Sequence, residues 1–155
     1  MSAITKQEVI NAQNAWAKGI EEIGNIFTNK GDYVARAKKM IEDLYFFQEY
    51  EVLFKPTLAS KDQFRNKFED ALSYFVASNG LHKEDKGFAI RPWHDVKFEN
   101  NGITITKDTA FAMGNYFLKD SNDEEIKVEY SFAYVKDSNN NLRIILHHSS
   151  MPFQG

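Results

Sequence analysis

Ile126-Lys127-Val128-Glu129-Tyr130-Ser131-Phe132-Ala133-Tyr134 alternates large apolar side chains with polar or small ones. A two-residue period marks a half-buried strand, with one face on a core and the other toward solvent. Turn-forming residues bracket it, Ser121-Asn122-Asp123 before and Ser138-Asn139-Asn140-Asn141 after. Leu142 to Ser150 then reads as a last strand, stopped by Pro152. Upstream, Gly87 to Glu99 reads as a strand bent at Pro92, and Asn101-Gly102 as a tight hairpin turn. Ile103–Thr106 and Thr109–Leu118 continue the β pattern. The second half of the chain is therefore expected to be an antiparallel meander.

The first half has a helical period instead. Thr5 and Glu8 have capping-box spacing, and Val9, Ala12, Trp16, Ile20, Ile23 and Phe27 follow at three- and four-residue steps. Asn29-Lys30-Gly31 ends that helix. Asp32 can cap a second, whose stripe is Ala37, Met40, Ile41, Leu44 and Tyr45. Glu49 to Phe54 reads as extended, and Pro56 disfavours helix at Lys55. Ser60 and Gln63 repeat the capping-box spacing, so a third helix is expected from near Ser60, with Phe64, Phe68, Ala71, Leu72 and Phe75 buried and Asn79-Gly80 as its stop. Helices followed by a meander give an α+β class: three N-terminal helices packed on a curved antiparallel sheet, a cone-shaped half-barrel with a pocket at its open end. Gly114 inside a strand fits curvature, and fits a bulge or close packing equally well.

With 155 residues, no repeats and no linker, the chain is expected to be one domain, 1–155. The balance of 43% hydrophobic and 26% charged residues excludes wholesale disorder. Net charge is −3, so no basic excess points to nucleic acid or an anionic membrane. Cysteine is absent, which excludes disulfides, thiolate metal sites and Cys nucleophiles. No apolar run is long enough for a membrane span, and the N-terminus lacks the apolar core of a signal peptide. A cytoplasmic location is expected.

Phosphate-loop, dinucleotide and nucleophile-elbow patterns are missing. Of the four histidines, His147 and His148 are adjacent on a strand and should point to opposite faces, which opposes a shared metal ion. Either alone can be an ordinary hydrogen-bonded core or interface histidine. The C-terminal strand is the distinctive segment, because Leu142-Arg143-Ile144-Ile145-Leu146 ends in His147-His148-Ser149-Ser150. Burying such groups unpaired costs about 1–3 kcal/mol each, so they require water, hydrogen bonds or a ligand. Thr57, before the third helix, can be a turn hydroxyl. Tyr74, among that helix's apolar residues, needs a partner for its hydroxyl.

The segment His147-His148-Ser149-Ser150-Met151-Pro152 resembles the terminal motif of the iota-class carbonic anhydrases. Lys55-Pro56-Thr57, and Tyr74 downstream of it, look like the same family. The wider pattern is shared with kinase II association domains and nuclear-transport-factor-2-like folds. The resemblance implies CO2/bicarbonate as substrate pair, a cone-shaped α+β barrel, and a homodimer formed sheet to sheet. It implies no cofactor, with manganese the runner-up. It also implies a pocket lined by a Thr, a Tyr and a Ser, carried over to Thr57, Tyr74 and Ser149, with Ser150 the alternative because one residue of slip changes the sheet face. If Ser149 faces the pocket, His147 shares that face, and His147 or Tyr74 can take or relay the proton. An association module, or a small-molecule isomerase or binder, would use the same fold; the isomerase needs a carboxylate base in an apolar pocket.

Overall fold

A computed structural model describes residues 2–155. Helix α1 (Lys6–Thr28) begins at the expected capping box: Thr5 accepts the Glu8 N–H, and the Glu8 carboxylate accepts the Thr5 N–H. Helix α2 (Tyr33–Leu44) begins where the Asp32 carboxylate accepts the Ala35 N–H at 3.0 Å. Strand β1 (Leu53–Lys55) and helix α3 (Phe68–Val76) follow, then a short 3-10 turn (Phe88–Ile90). Four long strands complete the chain: β2 (Trp93–Ile105), β3 (Ala110–Asp120), β4 (Glu125–Lys136) and β5 (Leu142–Ser150).

The sheet order is β1-β5-β4-β3-β2. Strands β2 to β5 form the antiparallel meander, but β1 pairs with β5 in parallel, so the sheet is mixed. It stays open and curls around α1. Trp16 of α1 has its ring centroid 5.8 Å from Phe98, 4.9 Å from Tyr116, 6.5 Å from Phe132 and 5.8 Å from His147, one contact on each of β2, β3, β4 and β5. A flat sheet could not bring four successive strands to one indole. Burying an aromatic side chain of this kind contributes about 1.5–3 kcal/mol, and Tyr45, Phe54, Phe75 and Tyr116 are buried beside it.

Three expectations are corrected. Asn101-Gly102 is not a hairpin turn: β2 runs through it with a bulge between Asn100 and Gly102. Only Gly80 and Gly87 among the glycines have positive φ, so Gly102 does not adopt the left-handed backbone such a turn requires. The chain reverses later, where Thr106 N–H donates to Thr109 O at 2.8 Å. Gly114 lies opposite the bulge, where an added Cβ would stand 2.6 Å from the Asn101 nitrogen; close backbone approach is why glycine sits there. Gly87 to Pro92 is not strand either, and β2 starts at Trp93.

The third correction is the start of α3, at Phe68 rather than near Ser60. The Ser60–Gln63 box does not form, because the Glu84 carboxylate takes the N–H groups of Ser60, Lys61 and Asp62 at 2.8–3.2 Å. Arg65 N–H donates to Phe54 O at 2.7 Å, and Asn66 Oδ1 accepts the Phe54 N–H at 3.0 Å, so this stretch binds the β1 edge instead of coiling. The Arg65 side chain is fully buried, forked onto Asp85 at 2.7 and 2.8 Å. Phe64, expected inside, is left exposed. The helix ends at Ala77 in the left-handed conformation, ahead of Asn79-Gly80.

Candidate functional site

Parallel pairing of β1 with β5 sets the site. Its register puts Phe54 beside His147 and Lys55 beside His148. Two residues past β1, after Pro56, Thr57 arrives next to Ser149. Alternation on β5 buries His147 and Ser149 and leaves His148 exposed. Ser150 is on the opposite face, its hydroxyl 3.3 Å from Glu129 Oε1, so Ser149 is the serine that faces inward.

Thr57 Oγ1 donates to Ser149 Oγ at 2.9 Å. Tyr74, on the inner face of α3, accepts the Leu58 N–H at 3.2 Å and lies within reach of the Thr57 hydroxyl. Thr57, Tyr74 and Ser149 are thus brought together from a turn, a helix and a strand. A fourth hydroxyl joins them. Tyr116 of β3 is buried on the same inner face, its hydroxyl 3.4 Å from His147 Nε2, and hydrogen bonding from Ser149 and Thr57 offsets part of the burial that raises its pKa. It was missed in the sequence, although an inward tyrosine on a period-two strand carries the same signal as Tyr74: a buried phenol that needs a partner.

His147 does not touch Thr57 or Tyr74; it stands one tyrosine behind. Its Nε2 lies 3.4 Å from the Tyr116 hydroxyl and its Nδ1 lies 2.8 Å from the Tyr45 hydroxyl. The ring stacks on Phe54 at 4.9 Å and packs on Phe132 at 4.2 Å. Burial, with His148 adjacent, holds the imidazole well below its ordinary pKa, so it is neutral. Burial also raises the phenols: Tyr116 is pushed up to about 12, and Tyr74 is raised well above its usual value. At neutral pH every group of the cluster is an uncharged alcohol or imidazole, able to donate and to accept. Lys55 supplies the nearest cation, its Nζ 3.2 Å from the Ser149 carbonyl oxygen; partial burial lowers its pKa.

Among the described residues no group of three or more His, Asp and Glu side chains converges as a metal site. His94 pairs with Asp123 and His82 with Asp62 and Asp70, all away from the cluster. A cavity of about 480 Å³ reaches the cluster at Leu58 and Tyr74, walled by Phe88 and Trp93. Arg91 lies over the Trp93 ring at 4.6 Å on its rim. Among the described residues no helix is long and apolar enough to cross a membrane.

A family model described as "Metal-independent carbonic anhydrase" matches residues 7–151. A relative of that description from Nostoc sp. is 42% identical, over 98% of this chain and 76% of the relative. A crystal structure of the iota-carbonic anhydrase from a cyanobacterium, complexed with bicarbonate, superposes with TM-score 0.95 at 41% identity, over 99% of this chain and 95% of that one. A nuclear-transport-factor-2-like protein from Salmonella enterica gives TM-score 0.61 at 13% identity, over 96% of this chain and 92% of that one, a likeness of fold alone.

Proposed function

This chain belongs to the metal-independent carbonic anhydrase family, and from that premise we propose that its reaction, the reversible hydration of CO2 to bicarbonate, is carried by the hydroxyls of Thr57, Tyr74 and Ser149, with His147 behind them. The observation that carries this reading is the 2.9 Å contact of Thr57 Oγ1 with Ser149 Oγ, with the Tyr74 hydroxyl fixed next to Thr57 by the Leu58 N–H at 3.2 Å.

The chemistry follows from the lack of a charged base. A neutral, buried imidazole and two phenols with raised pKa values do not take a proton outright at pH 7. An alcohol can instead exchange one. As the water oxygen bonds to the CO2 carbon, a water proton passes to Ser149 Oγ, and the Ser149 proton passes to a CO2 oxygen. The C=O π bond breaks as C–O forms, the serine is regenerated, and the product is carbonic acid, which ionises to bicarbonate in solvent. No charge is isolated in the apolar interior at any stage. Thr57 holds Ser149 by donating to its Oγ, Tyr74 stands beside Thr57, and the Ser149 O–H is the donor toward the CO2 oxygen that gains charge, an effect worth about 10²–10³-fold for one such donor. CO2 reaches the cluster through the cavity at Leu58 and Tyr74, whose aromatic wall suits an apolar gas.

Stopped-flow CO2 hydration with a pH indicator tests this. Ser149→Ala is expected to lower kcat about 10²–10⁴-fold, the range of a positioned proton-transfer group, with the fold unchanged by circular dichroism. Wild-type rate in that variant overturns the assignment. Exhaustive chelation is expected to leave the wild-type rate unchanged; loss on chelation with recovery on manganese overturns the alcohol mechanism.

In the same reading residues 1–155 act as one domain in the cytoplasm, as a homodimer joined sheet to sheet. Exposed Phe111, Met113 and Leu53 on the sheet strands support that contact. Light scattering at micromolar concentration is expected to give twice the chain mass, and a monomer overturns it.

A further inference from the structure

A row of buried donors and acceptors leads from α1 to the cluster, and its direction can be worked out group by group. Trp16 Nε1 is a donor only, and it donates to the Tyr45 hydroxyl oxygen at 2.9 Å. That hydroxyl then has one proton to give, and His147 Nδ1 lies 2.8 Å away. Trp16, Tyr45 and His147 are at most 1% exposed, so bulk water does not compete for these groups. A proton on Nδ1 would give Tyr45 two incoming donors and leave its own O–H buried without an acceptor, an arrangement proteins avoid. The ring proton therefore belongs on Nε2, which donates to Tyr116 at 3.4 Å. Tyr116, having accepted from Nε2, has its own proton left to give, and Ser149 and Thr57 are the hydroxyl neighbours that act on it. Stacking on Phe54 and packing on Phe132 hold the imidazole plane.

We infer that Trp16, Tyr45 and Tyr116 are positioning residues: Trp16→Tyr45→His147→Tyr116 is a one-way hydrogen-bond chain that fixes the Nε2–H tautomer of His147 and aims the Tyr116 hydroxyl proton at the Thr57–Ser149 pair. Tyr74 completes the convergence from the other side, because its oxygen accepts the Leu58 N–H and its proton is free for Thr57. Donation then runs inward from both tyrosines, through Thr57 to Ser149, and the Ser149 proton is the one left for the oxygen atoms of CO2. Hydrogen bonds aligned in series polarise one another, so Ser149 becomes a better donor than an isolated serine. Histidine serves here as a rigid neutral connector, one nitrogen accepting and the other donating, and not as the base.

This inference rests on the alcohol-cluster reading, and its test separates the two. Long-range 1H–15N correlation on protein with 15N-labelled histidine reads the tautomer in the unmodified enzyme. His147 is expected neutral, with its proton on Nε2, from pH 6 to 8; an Nδ1–H ring or an imidazolium at pH 7 overturns the chain. In Tyr45→Phe the constraint on Nδ1 is gone, so mixed tautomers are expected, with kcat lowered about 3- to 10-fold, the worth of one neutral hydrogen bond, and KM unchanged. Mixed tautomers with an undiminished kcat overturn the link to catalysis. Should Tyr45→Phe fail to fold, Tyr116→Phe carries the rate test, with an expected kcat loss of about tenfold and wild-type kcat as the overturning result. If Ser149→Ala abolishes hydration while Tyr45→Phe and Tyr116→Phe do not impair it, only the chain falls; if Ser149→Ala is fully active, the cluster reading falls whatever the tautomer.

Discussion

Replacing Asp85 with Asn tests whether the buried Arg65–Asp85 pair holds Thr57 in place. The Arg65 side chain is fully buried and that of Asp85 is 1% exposed; two guanidinium nitrogens contact the carboxylate at 2.7 and 2.8 Å. Ser73 Oγ donates to the same carboxylate at 2.6 Å. Asp85→Asn keeps the shape but leaves a buried cation with a neutral amide. Removing one partner of a buried pair costs about 3–5 kcal/mol. The Glu84 carboxylate, 3.7 Å from Arg65, still faces the charge, which favours the lower end, about 3 kcal/mol. For a domain of this size that is a Tm loss of about 6–12 °C. Arg65 N–H ties its loop to Phe54 O, and Thr57 lies on the same loop, so loosening it moves the hydroxyl that holds Ser149. Displacements of about 1 Å can cost 10²-fold in rate, so kcat at 25 °C is expected to fall about tenfold or more. Differential scanning calorimetry and stopped-flow hydration read the two effects. The double variant Arg65→Met/Asp85→Leu removes both charges and is expected to melt higher than Asp85→Asn. An Asp85→Asn protein with wild-type Tm and wild-type rate refutes the reasoning.

Tyr74→Phe removes the acceptor for the Leu58 N–H and the donor toward Thr57. A kcat loss of about tenfold is expected in the same hydration assay, and full rate removes Tyr74 from the mechanism. Two histidines give stability opposite pH dependences. Desolvation opposes charge on His82, but its hydrogen bonds to Asp70 and Asp62 outweigh it and raise the pKa. Its contribution is complete below the unfolded value of about 6.5 and lost as pH rises through the higher folded value. Wild type should therefore melt above His82→Asn at pH 5.5, with the gap closing in alkaline buffer; a gap independent of pH refutes the ion-pair reading. His147, held neutral by burial, contributes above about 6.5 and progressively less as pH falls. In His82→Asn, where the opposing histidine is gone, Tm is thus expected to drop on acidification, and a rise refutes the neutral assignment.

Where local chemistry decides local structure, the chain is legible. Thr5 with Glu8, and Asp32 ahead of its stripe, cap helices at the expected positions because the capping groups are near neighbours in sequence. Alternation on β4 and β5 assigned the inner face correctly, including opposite directions for His147 and His148. Ser60–Gln63 and Asn101-Gly102 carry equally good local signals and still fail. In one, the distant Glu84 captures the N–H groups that the cap would have used. In the other, eleven paired positions with β3 carry the strand through the turn signal.

Amphipathic period and turn chemistry were enough to define an α+β domain, since each depends on spacing along the chain, whereas Thr57, Tyr74 and Ser149 became candidates through the resemblance of Lys55-Pro56-Thr57 and the terminal motif to a known family, with Ser150 left as the alternative. The parallel seat of β1 on β5, the arrival of Tyr116, and the placing of His147 behind a phenol were decided only in three dimensions. They depend on which strand lies next to which, and the partners Tyr45, Tyr116 and His147 are separated by tens of residues. Hydrogen-bond direction across such distances is set by the burial of all the groups at once, a property no stretch of sequence carries alone.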